Sequence, residues 1–288
     1  MAVTLGPLDL VVVDSLETAL HTHFGWSRFR AGQRPVVEAV LSGRDALAVL
    51  PTGGGKSLCY QLPALIRGGL VVVISPLVAL MEDQVLQLRR RGISAACLHA
   101  GLDPVRRQQA MAALRDESLR LLYLAPERLQ GEATQRLLET HAAEGRLVAL
   151  AVDEAHCISA WGHDFRPDYR RLGLIRRLCP GVPMLALSAT AAPRVRADIL
   201  RLLDLRSPLV QVSSARRENL RYAMQRRPRD PMPQVLEALE QSRGATLIYA
   251  RTRRSVEHWA ERLQGQSVEA TPYHAGLDPA TRQTALTN

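Results

Sequence analysis

Lysine is almost missing from this chain. Of the 37 Lys and Arg residues in 288, all but Lys56 are arginine. Against that bias, a retained ammonium marks a place where a compact, rotatable charge does something the planar guanidinium cannot. Aromatic residues make up only 4%, so a local cluster of them carries information. The four cysteines, Cys59, Cys97, Cys157 and Cys179, show no C-x-x-C spacing. That excludes a zinc site of the usual spacing and argues against a disulfide framework, so no zinc is expected in the chain. No apolar run approaches the ~18 residues that suggest a membrane span; the longest, Leu70 to Met81, is broken by Ser75 and Pro76. The first residues have no basic region, and Asp9 and Asp14 interrupt their apolar stretch, so no signal peptide is expected. These absences fit a reducing, cytoplasmic compartment without a membrane partner. Acidic residues are in deficit, 28 against 37, for a net charge of +9. An acidic polymer is therefore a fitting partner, although charge does not say which one.

Apolar residues reach 47%, which excludes a disordered chain, and the length suits about two domains at ~150 residues each. Short, continuously apolar runs stand at Ala46–Leu50, Leu70–Ile74, Leu119–Leu124, Leu147–Val152 and Met184–Leu187. Such runs suit strands buried on both faces. Between them, Val36–Leu41, Val78–Arg90 and Pro104–Arg115 have helical period. Strand alternating with helix predicts an α/β fold, a doubly wound parallel sheet. The first domain is expected over residues 1–209, a basic linker over 210–232 with Arg216, Arg217, Arg221, Arg226, Arg227 and Arg229, and a second domain over 233–288. In the second domain Gln234–Gln241 and Ser255–Leu263 read as helices and Thr246–Ala250 as a strand. The string HAGLDP occurs twice, at 99–104 and 274–279, followed each time by Arg-Gln at the same distance. Asp as N-cap and Pro at the first helical position explain the string locally, and the repetition implies equivalent strand–turn–helix units. About 55 residues for the second domain, against ~100–150 for a domain of this kind, lead to the expectation that it is incomplete.

Five constellations could carry chemistry. Pro51-Thr52-Gly53-Gly54-Gly55-Lys56-Ser57 follows one apolar run and precedes an apolar helical segment. Glycines let backbone N–H groups close around phosphate oxygens, and the helix N-terminus adds positive potential. Lys56 would contact the β/γ-phosphates and Ser57 would bind Mg²⁺, as in a P-loop NTPase. Leu50 stands where the strict pattern has its first glycine. Asp153-Glu154-Ala155-His156 ends the run LVALAV, the place for a magnesium-side carboxylate, Asp153, and for a residue that positions water, Glu154. Upstream, Trp26, Arg30 and Gln33 could stack on and read adenine, with an aromatic staple on the first helix as the equal alternative. Trp161, His163, Phe165 and Arg166 crowd the stretch just after the acidic pair, a composition that suits single-stranded nucleic acid or core aromatics under a loop. Ser188 and Thr190 end a further strand and can relay hydrogen bonds or cap a helix.

The strings FGWSRFRAGQ, LPTGGGKSLCYQLPAL, SPLVALMEDQV, LLYLAPERL, AVDEAHCISAWGHDFRPDYRRL and ALSAT, with LIYARTRRSVE and YHAGL later, make the chain resemble the N-terminal part of the RecQ-type ATP-dependent DNA helicases. The resemblance covers nearly the whole chain, and DEAHCISAWGHDFRP is its most specific part. It implies a RecA-like sheet followed by an incomplete second RecA-like domain. It implies that Trp26, Arg30 and Gln33 contact the adenine, that Thr52 to Ser57 hold the phosphates, and that Lys56, Asp153 and Glu154 are catalytic, with ATP and Mg²⁺ as cofactors. His156, Trp161, His163, Phe165, Arg166, Ser188 and Thr190 would couple DNA to hydrolysis. The family works 3′ to 5′ on single-stranded and forked DNA in repair and recombination, here expected of a monomer associated with a bacterial nucleoid. The family's later arginine motif would lie beyond Asn288, so the alternative expectation is a fragment that binds ATP and single-stranded DNA without unwinding.

Overall fold

A computed structural model describes residues 14–214, 220–278, 281–282 and 284–285. They fall into two compact units, one up to residue 219 and one from Leu220. In the first, all seven strands are parallel: β1 (Ala46–Val49), β2 (Leu70–Ile74), β3 (Ala95–Leu98), β4 (Leu121–Leu124), β5 (Leu147–Val152), β6 (Met184–Ser188) and β7 (Leu209–Val212). Their order across the sheet is β3-β4-β2-β5-β6-β1-β7. Helices α1 (Asp14–Phe24), α2 (Gln33–Leu41), α3 (Leu58–Arg67), α4 (Val78–Arg90), α5 (Pro104–Arg115), α6 (Glu132–Ala143), α7 (Gly173–Leu178) and α8 (Pro193–Leu202) belong to this unit, with short 3-10 turns at Pro126–Gln130, Ala155–Ile158 and Pro167–Leu172. This is the parallel sheet expected of the alternation, in the RecA-like architecture that the resemblance implies. Strands β1, β2, β4 and β6 are buried at every position, which is why they read as unbroken apolar runs.

Two strands escape that reading. β3 is short and built of Ala-Ala-Cys-Leu, too small in volume to stand out as an apolar run. β7 is an edge strand that alternates half-buried and exposed residues. It extends past residue 209, where the apolar runs end the first domain. The buried Asp45 carboxylate draws β1, β6 and the approach to β7 together, accepting from Met184 N at 2.7 Å, Arg206 N at 2.7 Å and Arg176 Nη2 at 2.5 Å.

In the second unit, α9 (Met232–Gln241) and α10 (Arg253–Gln264) fulfil both helical expectations. Thr246–Ala250 does not form a strand. A strand exists only through a ladder partner, none is present among the described residues, and Leu247 and Tyr249 stand exposed. Of the expected linker, Arg216 and Arg217 lie outside the described residues, as do residues 1–13, while 220–229 are exposed and carry neither helix nor strand.

The repeat runs deeper than its six identical letters. His99 Nε2 lies 3.5 Å from Glu82 on α4, and His274 Nε2 lies 3.1 Å from Glu257 on α10. Both pairs are 17 residues apart, and each glutamate is the fifth residue of its helix. Each histidine carbonyl accepts from the leucine three residues on, at 3.3 Å and 3.2 Å. The aspartate then caps: Asp103 accepts from Val105 N and Arg106 N, and Asp278 from Thr281 N. The same helix-to-turn unit is thus built once in each compact unit.

Candidate functional site

Four of the motifs stand at the C-terminal ends of parallel strands, the side on which open α/β sheets place their ligands, while Trp26, Arg30 and Gln33 precede β1. The phosphate loop follows β1, Ser75-Pro76-Leu77 follows β2, Asp153-Glu154 follows β5, and Ser188 ends β6. Because β6 lies between β5 and β1, the acidic pair and the phosphate loop stand two strand spacings apart, about 10 Å. That gap suits a phosphate chain with a cation between them.

The loop is held open from outside. Gly53 and Gly55 have φ of +79° and +74°, a region only glycine enters without strain. A Cβ on Gly55 would come within 2.4 Å of Gln33 Nε2. That amide donates to Gly55 O at 2.9 Å and Gly54 O at 3.2 Å, Gln33 Oε1 accepts from Arg30 N at 2.7 Å, and Arg30 Nη1 donates to Gly53 O. Gln33 is only 2% exposed, and its amide braces the loop. Trp26 stacks on Phe24 at 5.3 Å, with Arg91 5.9 Å from its centre. This is the staple of the two readings, with 41% of the tryptophan still exposed. Among the described residues, the N–H groups of Gly55, Lys56 and Ser57 meet no protein acceptor. Orphan donors at the start of α3 form a cradle for an anion.

The acidic pair is split by its surroundings. Burial, then the neighbouring Glu154, pushes the Asp153 carboxyl up to about 6. The His156 hydrogen bond holds Glu154 below the usual carboxylate range, so it stays ionised. Both carboxylates lie in the field of Lys56. Two adjacent carboxyls driven apart in this way take different chemical roles. Asp153, half-buried and repelled by its neighbour, is a group that a divalent cation would relieve. With the orphan N–H cradle and the Ser57 hydroxyl, the donor set fits Mg²⁺ and phosphate oxygens. Glu154 sits in the left-handed region at φ +46°, a strain of about 1–3 kcal/mol of the kind that clusters at functional sites. Tyr169, unmarked in the sequence reading, donates to Asp153 O at 2.9 Å and fixes the turn.

From Glu154 a chain of polar contacts leads away. Glu154 Oε2 lies 3.2 Å from His156 Nδ1, which lies 3.1 Å from Ser188 Oγ, which donates to Thr190 O at 2.7 Å. Ser188 and Thr190 both take part in this chain of contacts, Thr190 through its carbonyl. His156 is buried and stacks on exposed His163 at 4.1 Å. Arg166 forks onto Asp164 at 2.9 Å and 3.1 Å and donates to Pro76 O at 3.1 Å. These residues surround a cleft of about 370 Å³ lined by Thr52, Pro76, Leu77, Glu154, His156, His163, Asp164 and Thr190. The aromatics are not core: Trp161 is 61% exposed and Phe165 also stands out. Each carries a guanidinium the sequence reading missed, Arg194 at 3.5 Å from the Trp161 centre and Arg170 at 5.0 Å from that of Phe165. Arg170 lies within the motif string that holds Phe165, whereas Arg194 lies outside the motif strings and only the fold brings it to Trp161.

The family model of the DEAD/DEAH box helicases matches residues 30–199. The ATP-dependent DNA helicase RecQ of Pasteurella multocida is 43% identical over 278 residues, 96% of this chain and 43% of that protein. A probable ATP-dependent DNA helicase, RecS of Bacillus subtilis, is 38% identical over 93% of this chain and 53% of its own length. This chain therefore spans about half, or less, of the length of those relatives. Among solved structures, the DUF1998 helicase MrfA bound to DNA superposes with a TM-score of 0.68 at 18% identity, covering 97% of this chain and 43% of that one.

Proposed function

The chain belongs to the DEAD/DEAH box helicases, and from that membership we propose that it acts in a RecQ-type DNA helicase, coupling Mg-ATP hydrolysis to 3′-to-5′ movement on single-stranded DNA in repair and recombination. The observation that carries the proposal is the convergence of the phosphate loop, the acidic pair and the aromatic loop on one side of one sheet, around a shared cleft. The backbone N–H groups of Gly55 to Ser57 and the Lys56 ammonium bind the phosphates. Ser57 and Asp153 would hold magnesium, which supplies neutralisation of phosphate charge. Glu154, kept ionised, accepts the proton of the attacking water and is oriented by His156. Exposed Trp161 and Phe165 stack bases, and Arg166 answers their position through Pro76 and Asp164.

The polar chain from Glu154 through His156 and Ser188 to Thr190 is the means by which an occupied aromatic loop would be felt at the water-positioning carboxylate. The names of the relatives support DNA as the polymer, and they favour the helicase reading over that of a fragment that only binds ATP and DNA. Single-stranded and forked DNA as substrates, action as a monomer and a place beside chromosomal DNA in the cytoplasm belong to the same proposal.

The test is ATP hydrolysis by the purified chain, with and without a single-stranded oligonucleotide, beside Lys56→Ala. DNA-stimulated turnover that disappears in the variant is expected. Equal ATP affinity in wild type and Lys56→Ala would remove the phosphate-loop assignment.

A further inference from the structure

A second cleft, of about 520 Å³, has Trp161 in its lining and shares no residue with the cleft at Glu154. Helix α8 supplies much of the rest. Arg194, Asp198 and Arg201 stand at i, i+4 and i+7 of that helix and line the cleft together, as residues on one helical face do. Val195 and Ile199 lie beside them and are buried in the core. The charged face is tied to the aromatic loop. Asp198 accepts from the fully buried Ser159 hydroxyl at 2.8 Å, and Ser159 Oγ accepts from Trp161 N at 3.2 Å. Asp198 also accepts from Arg201 Nη2 at 2.9 Å. The hydrogen bonds from Arg201 and Ser159 hold its carboxyl below the usual carboxylate range. This one carboxylate is spent within the protein, and cations remain in excess around it. Among the described residues, Arg170 and Arg194 pair with no carboxylate. The apolar part of the lining is Ile158, Ala160 and Leu202.

Resting on the reading that the aromatic loop binds single-stranded DNA, we propose that this cleft is a second subsite for the same strand. It takes one nucleotide, with the base against Trp161 and the phosphates on Arg194 and Arg201. The lining selects that ligand. An apolar partner would desolvate guanidinium groups and give them no acceptor. A free phosphate would make no use of the tryptophan or of the apolar residues. A nucleotide joins a π face to an anion in one unit, the combination that single-strand sites hold with aromatic rings and arginine. A volume of about 520 Å³ falls within the ~300–1,000 Å³ of sites for small organic ligands. Arg194 lies 3.5 Å from the centre of the Trp161 ring. That cation–π contact holds a long, flexible side chain beside the ring before a ligand arrives, which lowers the entropy lost on binding. Arg201 has five N–H donors in its guanidinium and gives one to Asp198, which leaves the others for a phosphate.

The experiment measures binding of a fluorescent oligothymidylate by anisotropy over a series of salt concentrations, in the absence of nucleotide. Wild type is compared with Arg194→Gln, Arg201→Gln, the double variant, Arg194→Lys, Trp161→Ala and Arg136→Gln. Each lost phosphate contact should lower the slope of log K against log[salt] by about 0.7, and the double variant should lower it by about 1.4. Arg194→Lys, which keeps the charge, should keep the slope. Arg136 is 77% exposed on α6, outside the cleft, and its variant should also keep the slope. Weaker binding with an unchanged slope in the Arg194 and Arg201 variants would mark arginines that only support the loop, and would overturn the proposal. So would an equal fall in slope for Arg136→Gln, which would mark a general effect of charge. The arginines are exposed, so the glutamine variants should keep the wild-type melting temperature. Should Arg201→Gln fail to fold, Arg194→Gln decides alone. Trp161→Ala binding the oligonucleotide as tightly as wild type would instead overturn the aromatic-loop reading, and this inference with it.

Discussion

Asp45 and Arg176 are 5% and 4% exposed, so neither charge has water to fall back on. The carboxylate is satisfied by three donors from three separate segments. Breaking a buried pair from one side strands the other charge, at about 3–5 kcal/mol. Asp45→Ala should lose that much in urea unfolding, whereas a loss under ~1 kcal/mol would rank the pair with ordinary surface bridges. Asp153 makes the opposite prediction. Its carboxyl titrates near 6 in the fold against an ordinary 3.8, so the folded chain holds that proton more tightly than the unfolded one. Free of nucleotide and magnesium, the chain therefore loses stability as pH rises from about 4 to 6. Asp153→Asn should raise the stability of the ligand-free protein at pH 7 by about 2–3 kcal/mol. The gain should shrink toward pH 4, measured as Tm across pH. An Asn variant no more stable at pH 7 than wild type would show that the carboxylate carries no such penalty. A destabilised carboxylate that a cation would relieve is a functional group bought at the expense of the empty fold.

At the scale of the element, the phosphate loop depends on its glycines to very different degrees than the surface turns do. Gly25 and Gly55 have nearly the same φ, +73° and +74°, but a Cβ on Gly25 meets nothing within 4 Å and one on Gly55 meets Gln33 Nε2 at 2.4 Å. Gly25→Ala should cost about 1 kcal/mol of stability from backbone strain alone. Gly55→Ala must also displace the amide that braces the loop from α2. It should lose nucleotide binding well beyond its loss of stability, as read by nucleotide titration beside thermal melting. Equal nucleotide affinity in the two alanine variants would mean that the brace from Arg30 and Gln33 does not shape the loop. The paired His–Glu contacts of α4 and α10 show the complementary case, in which one solution for joining a helix to a turn is used twice.

At the scale of the whole molecule, the net charge of +9 and the exposed rings belong to one binding face only if they act together. Trp161 is mostly exposed, so Trp161→Ala should leave the melting temperature within a degree or two of wild type and ATP binding intact. It should remove most of the stimulation of hydrolysis by single-stranded DNA. Affinity for the oligonucleotide should also fall linearly on a logarithmic plot against salt, as arginines give up their phosphate contacts. Undiminished stimulation in the variant would separate the aromatic loop from the motor, and salt-independent binding would separate the charge from the DNA.

The sequence by itself determined the parallel sheet, the phosphate loop, the acidic strand end and the doubled turn. Strands buried on both faces must be apolar throughout, and phosphate chemistry demands particular residues at adjacent positions. Both constraints are local, so both are written in contiguous letters. Only the tertiary structure decided that Gln33 braces Gly54 and Gly55, that Arg194 covers Trp161, that Asp45 clasps Arg176, and that Tyr60 meets Tyr123. Each of those contacts joins residues 21 or more positions apart, and no local pattern of residue types encodes it. The edge strand β7 and the unpaired Thr246–Ala250 mark the same limit from the other side. A strand is a relation between two segments, and the letters of one of them do not contain the other.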